Sequence, residues 1–195
     1  MIIGLTGTNG SGKGTVAEFL KQEGFRYYSL SDELRGVLHQ QQVEITLPNL
    51  IVWGNKIRKT QGSDYLAKRV IEKIKKDKAF AQKEIVIDSI RNPFELAALK
   101  TLPGFILIAV DAPIELRYQR VQQRKREDDK QSFEAFKHNE DVQRAGKNES
   151  DQQLNELIKQ ADIRLWNDKT VDDLRKQLFT QLKLPLKTKN KDKKG

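Results

Sequence analysis

Two hydrophobic rhythms alternate along the chain. Ile2 to Thr6 is a compact apolar run, read as a first strand, and Thr15 to Glu23 places Val16, Phe19 and Leu20 on one helical face before Gly24. Phe25 to Leu30 reads as a second strand. Residues 31–80 look mainly helical, with Pro48 interrupting and Gly62 separating a second stretch where Leu66, Val70 and Ile74 recur every four residues. Glu84 to Asp88 is a third strand, Pro93 to Lys100 a short helix, and Pro103-Gly104 a turn. The unbroken apolar run Phe105 to Val110 has the character of a strand buried on both faces. Pro113 suits a first helical turn, and the helix it opens is predicted to reach about Arg126. Phe133 to about Ile158 is polar and helical in pieces, with Leu154, Leu157 and Ile158 facing inward. Ala161 to Leu165 is a fifth strand. Thr170, with Asp173 three residues on, caps a last helix striped by Leu174, Leu178 and Leu182. Strands alternating with helices predict an α/β fold, a parallel five-stranded sheet with helices on both faces.

Composition narrows the chemistry. The 195 residues fit a single domain with a core of its own, and there is no cysteine, which excludes disulfides, thiolate zinc sites and a cysteine nucleophile. No leader or apolar stretch long enough to cross a bilayer is visible, so a soluble, cytoplasmic protein with no membrane partner is expected. Of the net charge of +9, +5 falls in residues 183–195, leaving a main domain over 1–182 and a basic tail expected to be disordered. No aromatic residue interleaves with the tail lysines, which argues against nucleic acid as the main partner. Oligomeric state is not encoded in any of this.

The strongest local signal is Gly7-Thr8-Asn9-Gly10-Ser11-Gly12-Lys13-Gly14-Thr15, between a strand and a helix. Such a loop turns backbone N–H groups inward around an anion, the helix N-terminus adds its positive end, and Lys13 reaches β- and γ-phosphates. Asn9, Gly10, Ser11, Gly12, Lys13, Gly14 and Thr15 are therefore candidate ATP ligands. The general pattern asks for Ser or Thr directly after the lysine; here Gly14 intervenes and Thr15 follows. Ile85-Val86-Ile87-Asp88 brings a carboxylate to the end of a strand, where it can order water on magnesium; a surface salt bridge to Arg91 is the plainer reading. Arg120 and Arg124 share one helix face and begin a basic cluster that runs into Glu127-Asp128-Asp129.

These segments together resemble the P-loop nucleoside monophosphate kinase superfamily, in particular small adenylate-kinase-like and dephospho-CoA-kinase-like kinases, over most of residues 1–182. The resemblance implies a three-layer P-loop fold with a helical acceptor-binding insertion at about 36–80 and a short lid at about 124–150. Gly14-Thr15 matches that superfamily's own loop. Ser29-Leu30-Ser31-Asp32-Glu33-Leu34-Arg35 resembles the segment whose Arg holds the acceptor phosphate, so the resemblance implies that role for Arg35 and, after Asp88, for Arg91. Asp32 reads first as a helix cap and second as an acceptor ligand. Dephospho-CoA kinases carry an acidic residue at positions matching Ser29 and Ser31, a departure in this chain. Arg120 and Arg124 match the lid hinge. Arg58 is a further acceptor candidate, Arg144 a lid residue that could reach the donor, and Asn167 follows the last strand where relatives pass near the donor base. Trp53 and Trp166 read as packing residues, His39 and His138 as surface.

The function these readings imply is transfer of the γ-phosphate of Mg-ATP to a nucleoside or deoxynucleoside monophosphate. Lys13, Asp88, Arg91, Arg120 and Arg124 would be catalytic; Thr15 and Asp88 would serve magnesium. Dephospho-CoA kinase is the alternative enzyme, with Asp32 or Asp88 as base. A nucleotide-binding regulator or slow NTPase with an RNA-touching tail is the alternative of another class.

Overall fold

The computed structural model describes residues 1–77, 84–124 and 131–185. Five parallel strands form one sheet: β1 (Ile2–Gly7), β2 (Arg26–Ser29), β3 (Ile85–Asp88), β4 (Phe105–Asp111) and β5 (Ile163–Trp166), in the order β2-β3-β1-β4-β5. The chain leaves β1 toward one edge and returns to the other side of it at β4, so the sheet changes winding direction beside β1. A crevice opens at such a point, beyond the carboxyl ends of the strands.

Successive side chains of a strand face opposite sides, and here both sides are covered. Ile2, Ile85, Ile87 and Leu107 join one core with α2 (Leu30–Gln40), α3 (Leu47–Gln61), α4 (Tyr65–Lys76), α5 (Pro93–Leu99) and α8 (Leu154–Gln160). Ile3, Leu5, Val86, Ile108 and Val110 join the other, with α1 (Lys13–Gln22) and α9 (Val171–Leu182). Two more helices, α6 (Ile114–Arg124) and α7 (Phe133–Arg144), pack against each other, and α7 also meets α3 and α8.

Most predicted elements form within a residue or two of their expected bounds. Pro48 does not interrupt a helix. It occupies the first turn of α3, where its missing N–H is no loss, and Thr46 caps that helix by accepting from Asn49 N. Gly62 ends α3 at φ +109. Asn92 opens α5 with a reciprocal capping box to Glu95, and Thr170 with Asp173 does the same for α9. Trp166 is half exposed rather than packed, whereas Trp53 packs partly against the core under Lys56, 4.3 Å from its ring centre. His39 and His138 are exposed. The acidic cluster 127–129 and residues 186–195 of the basic tail lie outside the described residues. Among the described residues no helix is long and apolar enough to cross a membrane.

Candidate functional site

The phosphate loop connects β1 to α1 under steric constraints that only glycine meets. At Gly12, φ is +106, and a Cβ would lie 2.3 Å from Asn167 Nδ2; at Gly10, φ is +76, and a Cβ would lie 2.4 Å from Arg117 O. The loop therefore closes against both α6 and the segment after β5. Asn167 is a brace: its Nδ2 donates to Ser11 O (2.9 Å), its Oδ1 accepts from Arg120 Nη2 (3.4 Å), and its own N–H donates to Asp111 O (2.8 Å).

Lys13 is buried and folds its ammonium back onto the loop, donating to Gly7 O (2.9 Å) and Thr8 O (2.6 Å). Burial, then the Arg91 charge, pull its pKa from the usual lysine value to about 7, against the opposing pull of Asp88.

The neighbouring strand supplies the second half of the site. Asp88 ends β3 beside β1. Its Oδ1 accepts from Ser89 N (2.6 Å) and its Oδ2 from the Tyr27 hydroxyl (3.2 Å). Burial and the Asp88 charge raise the Tyr27 pKa, which keeps the phenol a donor. Ser89 takes a left-handed φ of +67, a conformation non-glycine residues adopt at some cost. The turn it makes lets Ile90 N bond back to Leu5 O (3.1 Å) and Ile90 O accept from Thr6 Oγ1 (2.8 Å), which fixes Asp88 and Arg91 over the loop.

A cleft of about 1060 Å³ runs through this region. Its donor end is lined by residues 9–15, Arg120 and Arg124; its other end by Asp32, Arg35, Arg58, Asp88, Arg91 and the inserted helices α2 to α4. Arg124 Nη2 donates to Asn9 Oδ1 (2.8 Å) across the loop. Asn9 Nδ2, Ser11 Oγ, Arg91 Nη1 and Arg120 Nη1 are buried without a hydrogen-bond partner among the described residues. Burial lowers the pKa of both Arg91 and Arg120 from the usual arginine value, yet guanidinium groups remain charged at neutral pH. Buried donors of this kind are rare without a ligand to satisfy them, and four around one cleft call for anionic oxygens at both ends.

Some predicted residues are placed differently from expectation. Ser29, not Asp32, caps α2, accepting from Asp32 N (3.2 Å); Asp32 stands exposed in the helix's first turn at the cleft. Arg58 lines the cleft, but its Nε donates to the fully buried Glu95 (2.8 Å) and its Nη1 to Asn55 Oδ1 (3.2 Å). Asn167 acts on the loop and is not among the residues lining the cleft. Arg144 pairs with Asp111 (2.8 Å) and Glu140 (2.6 Å) instead of turning to the donor.

Two groups escaped sequence reasoning. Glu95 accepts from Arg91 N (2.8 Å), Asn92 N (3.1 Å) and Arg58, so one carboxylate ties the acceptor-side arginine turn to α3. Asn92 followed three residues later by Glu95 carried the capping signal but not the Arg58 contact. A second network runs from Thr8 to Asp111 (2.9 Å), on to Arg144 and Glu140, and to Arg117, whose guanidinium is paired with Glu140 and also donates to Ala112 O (2.7 Å). Burial would raise the Asp111 pKa, but the Arg144 and Thr8 hydrogen bonds outweigh it and the pKa falls. Nothing local in the sequence joins residues more than a hundred positions apart.

Asp88 and Thr15 are the residues that could hold magnesium. Asp88 and Thr15 line the same cleft, and the described residues hold no cluster of three acidic, histidine or cysteine side chains. Magnesium keeps several waters and binds largely through phosphates, so one carboxylate and one hydroxyl fit its demands.

The sheet order, the loop and the arginine-lined cleft define a P-loop, kinase-like fold. The chain belongs to the AAA domain family, which matches residues 3–155, and it stands among the UPF0200 proteins. It is 31% identical over 182 residues to the UPF0200 protein of Sulfurisphaera tokodaii, covering 93% of this chain and 96% of that one. Among solved structures, shikimate kinase from Bacteroides thetaiotaomicron superposes with a TM-score of 0.58 at 14% identity, covering 94% of this chain and 99% of that one. Dephospho-CoA kinase from Campylobacter jejuni superposes at 0.51 with 21% identity, covering 93% and 95%. These two likenesses establish the fold.

Proposed function

We propose that the protein is a phosphotransferase that moves the γ-phosphate of Mg-ATP to a nucleoside or deoxynucleoside monophosphate, acting in the cytoplasm on small nucleotides. The observation that carries this reading is the pair of unsatisfied, buried guanidinium N–H groups, Arg120 at the donor end and Arg91 at the acceptor end, in one cleft with Lys13 and Asp88. Two anionic partners in one cleft fit a nucleotide donor and a phosphorylated acceptor.

In this reading the loop N–H groups and Lys13 hold the donor phosphates, with Asn9, Ser11 and Thr15 adding side-chain contacts. Thr15 and Asp88 serve magnesium, which when bound neutralises charge on the transferring phosphoryl group. Arg35 and Arg91 orient the acceptor phosphate. That phosphate is already anionic near pH 7, so positioning and charge stabilisation suffice and no strong base is needed. Arg120 and Arg124, at the root of the lid beginning near residue 124, close on the transferring group and exclude water.

Dephospho-CoA remains the second acceptor to test, because its solved kinase shares the fold and Asp32 stands exposed at the acceptor end. A ribose hydroxyl benefits from a carboxylate base. Transfer from labelled ATP across all ribo- and deoxynucleoside monophosphates and dephospho-CoA separates the readings. Transfer confined to dephospho-CoA overturns the first, and absence of any transfer overturns both. Asp88→Asn is expected to raise the magnesium concentration for half-maximal transfer about 10–100-fold. An unchanged magnesium profile would remove Asp88 from that role.

ATP binding is expected to depend on pH through Lys13. Its free-state pKa of about 7 must rise when a polyphosphate replaces the two carbonyls, so binding takes up a proton. Affinity should be fully present below pH 7 and fall as pH rises above it, by at most about tenfold per pH unit. Calorimetry at pH 8 in buffers of different ionisation enthalpy reads the proton directly; no uptake in wild type would mean that Lys13 is already charged before ATP arrives.

A further inference from the structure

The edge strand β2 carries two adjacent tyrosines, and the alternation of a strand sends them to opposite faces. Tyr28 donates to Asp77 Oδ2 (2.8 Å), just past the end of α4, and so ties the sheet to that helix. Tyr27 has a different partner. It pairs with Val86 in the ladder while Ser29 pairs with Asp88, so Tyr27 stands diagonal to Asp88 on the same face of the sheet. Its ring is also steadied by α1: the Lys21 ammonium lies 5.7 Å from the ring centre and is held by Glu18 (2.7 Å).

From that position the Tyr27 hydroxyl donates to Asp88 Oδ2 (3.2 Å), while Ser89 N donates to Oδ1 (2.6 Å). A carboxylate only accepts, and two donors on its two oxygens fix the plane of the group. Asp88 needs such fixing, because the Lys13 and Arg91 charges both act on it and a carboxylate free to turn would be drawn onto one of them. Tyr27 itself does not need the contact. It is 37% exposed and lines the cleft, so its hydroxyl could be satisfied by water. The bond therefore serves the carboxylate more than the fold.

We propose that Tyr27 is a positioning residue for the metal step: its hydroxyl holds the Asp88 carboxylate in the orientation in which it serves magnesium, and keeps it off the neighbouring cations. The inference rests on the magnesium role given to Asp88 above and adds the residue through which that role is tuned. Carboxylates that serve a metal depend on outer hydrogen bonds of this kind for orientation, and losing one typically weakens the metal about 10–100-fold. Tyr27 acts through Asp88 alone, so its effect must vanish when Asp88 is gone.

Calorimetric titration of a β,γ-imido analogue of ATP, once with magnesium and once with a chelator, tests this without turnover or acceptor. The ratio of the two affinities is the gain due to magnesium. Tyr27→Phe removes one oxygen and keeps the ring under Lys21. It is expected to lower that gain about tenfold, with the chelator affinity and the melting temperature unchanged. In an Asp88→Asn background the same substitution should change the gain by less than about twofold, which a purely structural role of the ring would not produce. An unchanged gain in Tyr27→Phe, or an equal loss with and without Asp88, overturns the positioning role and leaves magnesium at Asp88 standing. A loss of chelator affinity with the gain preserved also overturns it, since Tyr27 would then support the phosphate loop instead. If Asp88→Asn alone keeps the full gain, the magnesium role of Asp88 falls, and that of Tyr27 with it.

Discussion

Lys13→Ala is expected to keep its fold and lose phosphoryl transfer by about 10²–10³-fold or more, the effect of removing one preorganised charge from a developing phosphoryl centre. The ammonium is already at the loop, 2.6 Å from Thr8 O, so it needs only to turn from two carbonyls to the incoming phosphates. Alanine leaves the two carbonyls without that donor but keeps the glycine-imposed loop path and its closure against Asn167. The measurement is single-turnover transfer from labelled ATP, with the melting temperature as control. Retained transfer in a folded Lys13→Ala protein would mean that the loop N–H groups alone carry the donor, and the kinase mechanism would need another cation. Lys13→Arg should not rescue: a planar fork at the end of a longer chain does not fit a space that holds one compact ammonium between two carbonyls.

Glu95→Ala is expected to give the largest loss of stability, about 3–5 kcal/mol, because it strands the buried Arg58 guanidinium. That is a large part of the stability of a domain this size, commonly about 5–15 kcal/mol. Glu95 is 0% exposed and Arg58 3%, so water cannot step in for the lost carboxylate. Denaturant titration reads the loss as a lower midpoint at unchanged slope. The apolar pair Arg58→Met with Glu95→Leu should recover most of it, since replacing both partners leaves no buried charge. A Glu95→Ala protein as stable as wild type would show the pair to be solvated. The same carboxylate also receives Arg91 N and Asn92 N, so the double variant should remain defective toward the acceptor even where its stability returns. That split separates folding from positioning.

Much of this architecture was legible in one dimension. The unbroken apolar run at 105–110, the glycine-rich loop between a strand and an amphipathic helix, and Asp88 at the end of Ile85-Val86-Ile87 each report a local rule: burial on both faces, positive φ, and the end of a buried strand. Pro48 shows where local reading misleads, because the same rigid φ that breaks a helix interior favours a helix start, and only Thr46 placed as a cap decides between them. Ser29 caps α2 where the sequence points to Asp32 for the same reason, as either can cap and the chain's path out of β2 chooses.

By itself, then, the sequence determined the strands, the phosphate loop and most of the charged residues that line the cleft, because periodicity, glycine geometry and strand ends act over a few residues. The tertiary structure alone decided which charges are committed and which are left to a ligand. Arg58 and Arg91 are both arginines near the acceptor end, yet one is neutralised by Glu95, thirty-seven positions away, and the other lines the cleft with an N–H that has no partner among the described residues. Arg144 is bound to Asp111, while Arg120 Nη1 has no hydrogen-bond partner among the described residues. Such assignments depend on long-range proximity and desolvation, which no local pattern encodes, and they separate the residues that hold this fold together from those it holds out to a nucleotide.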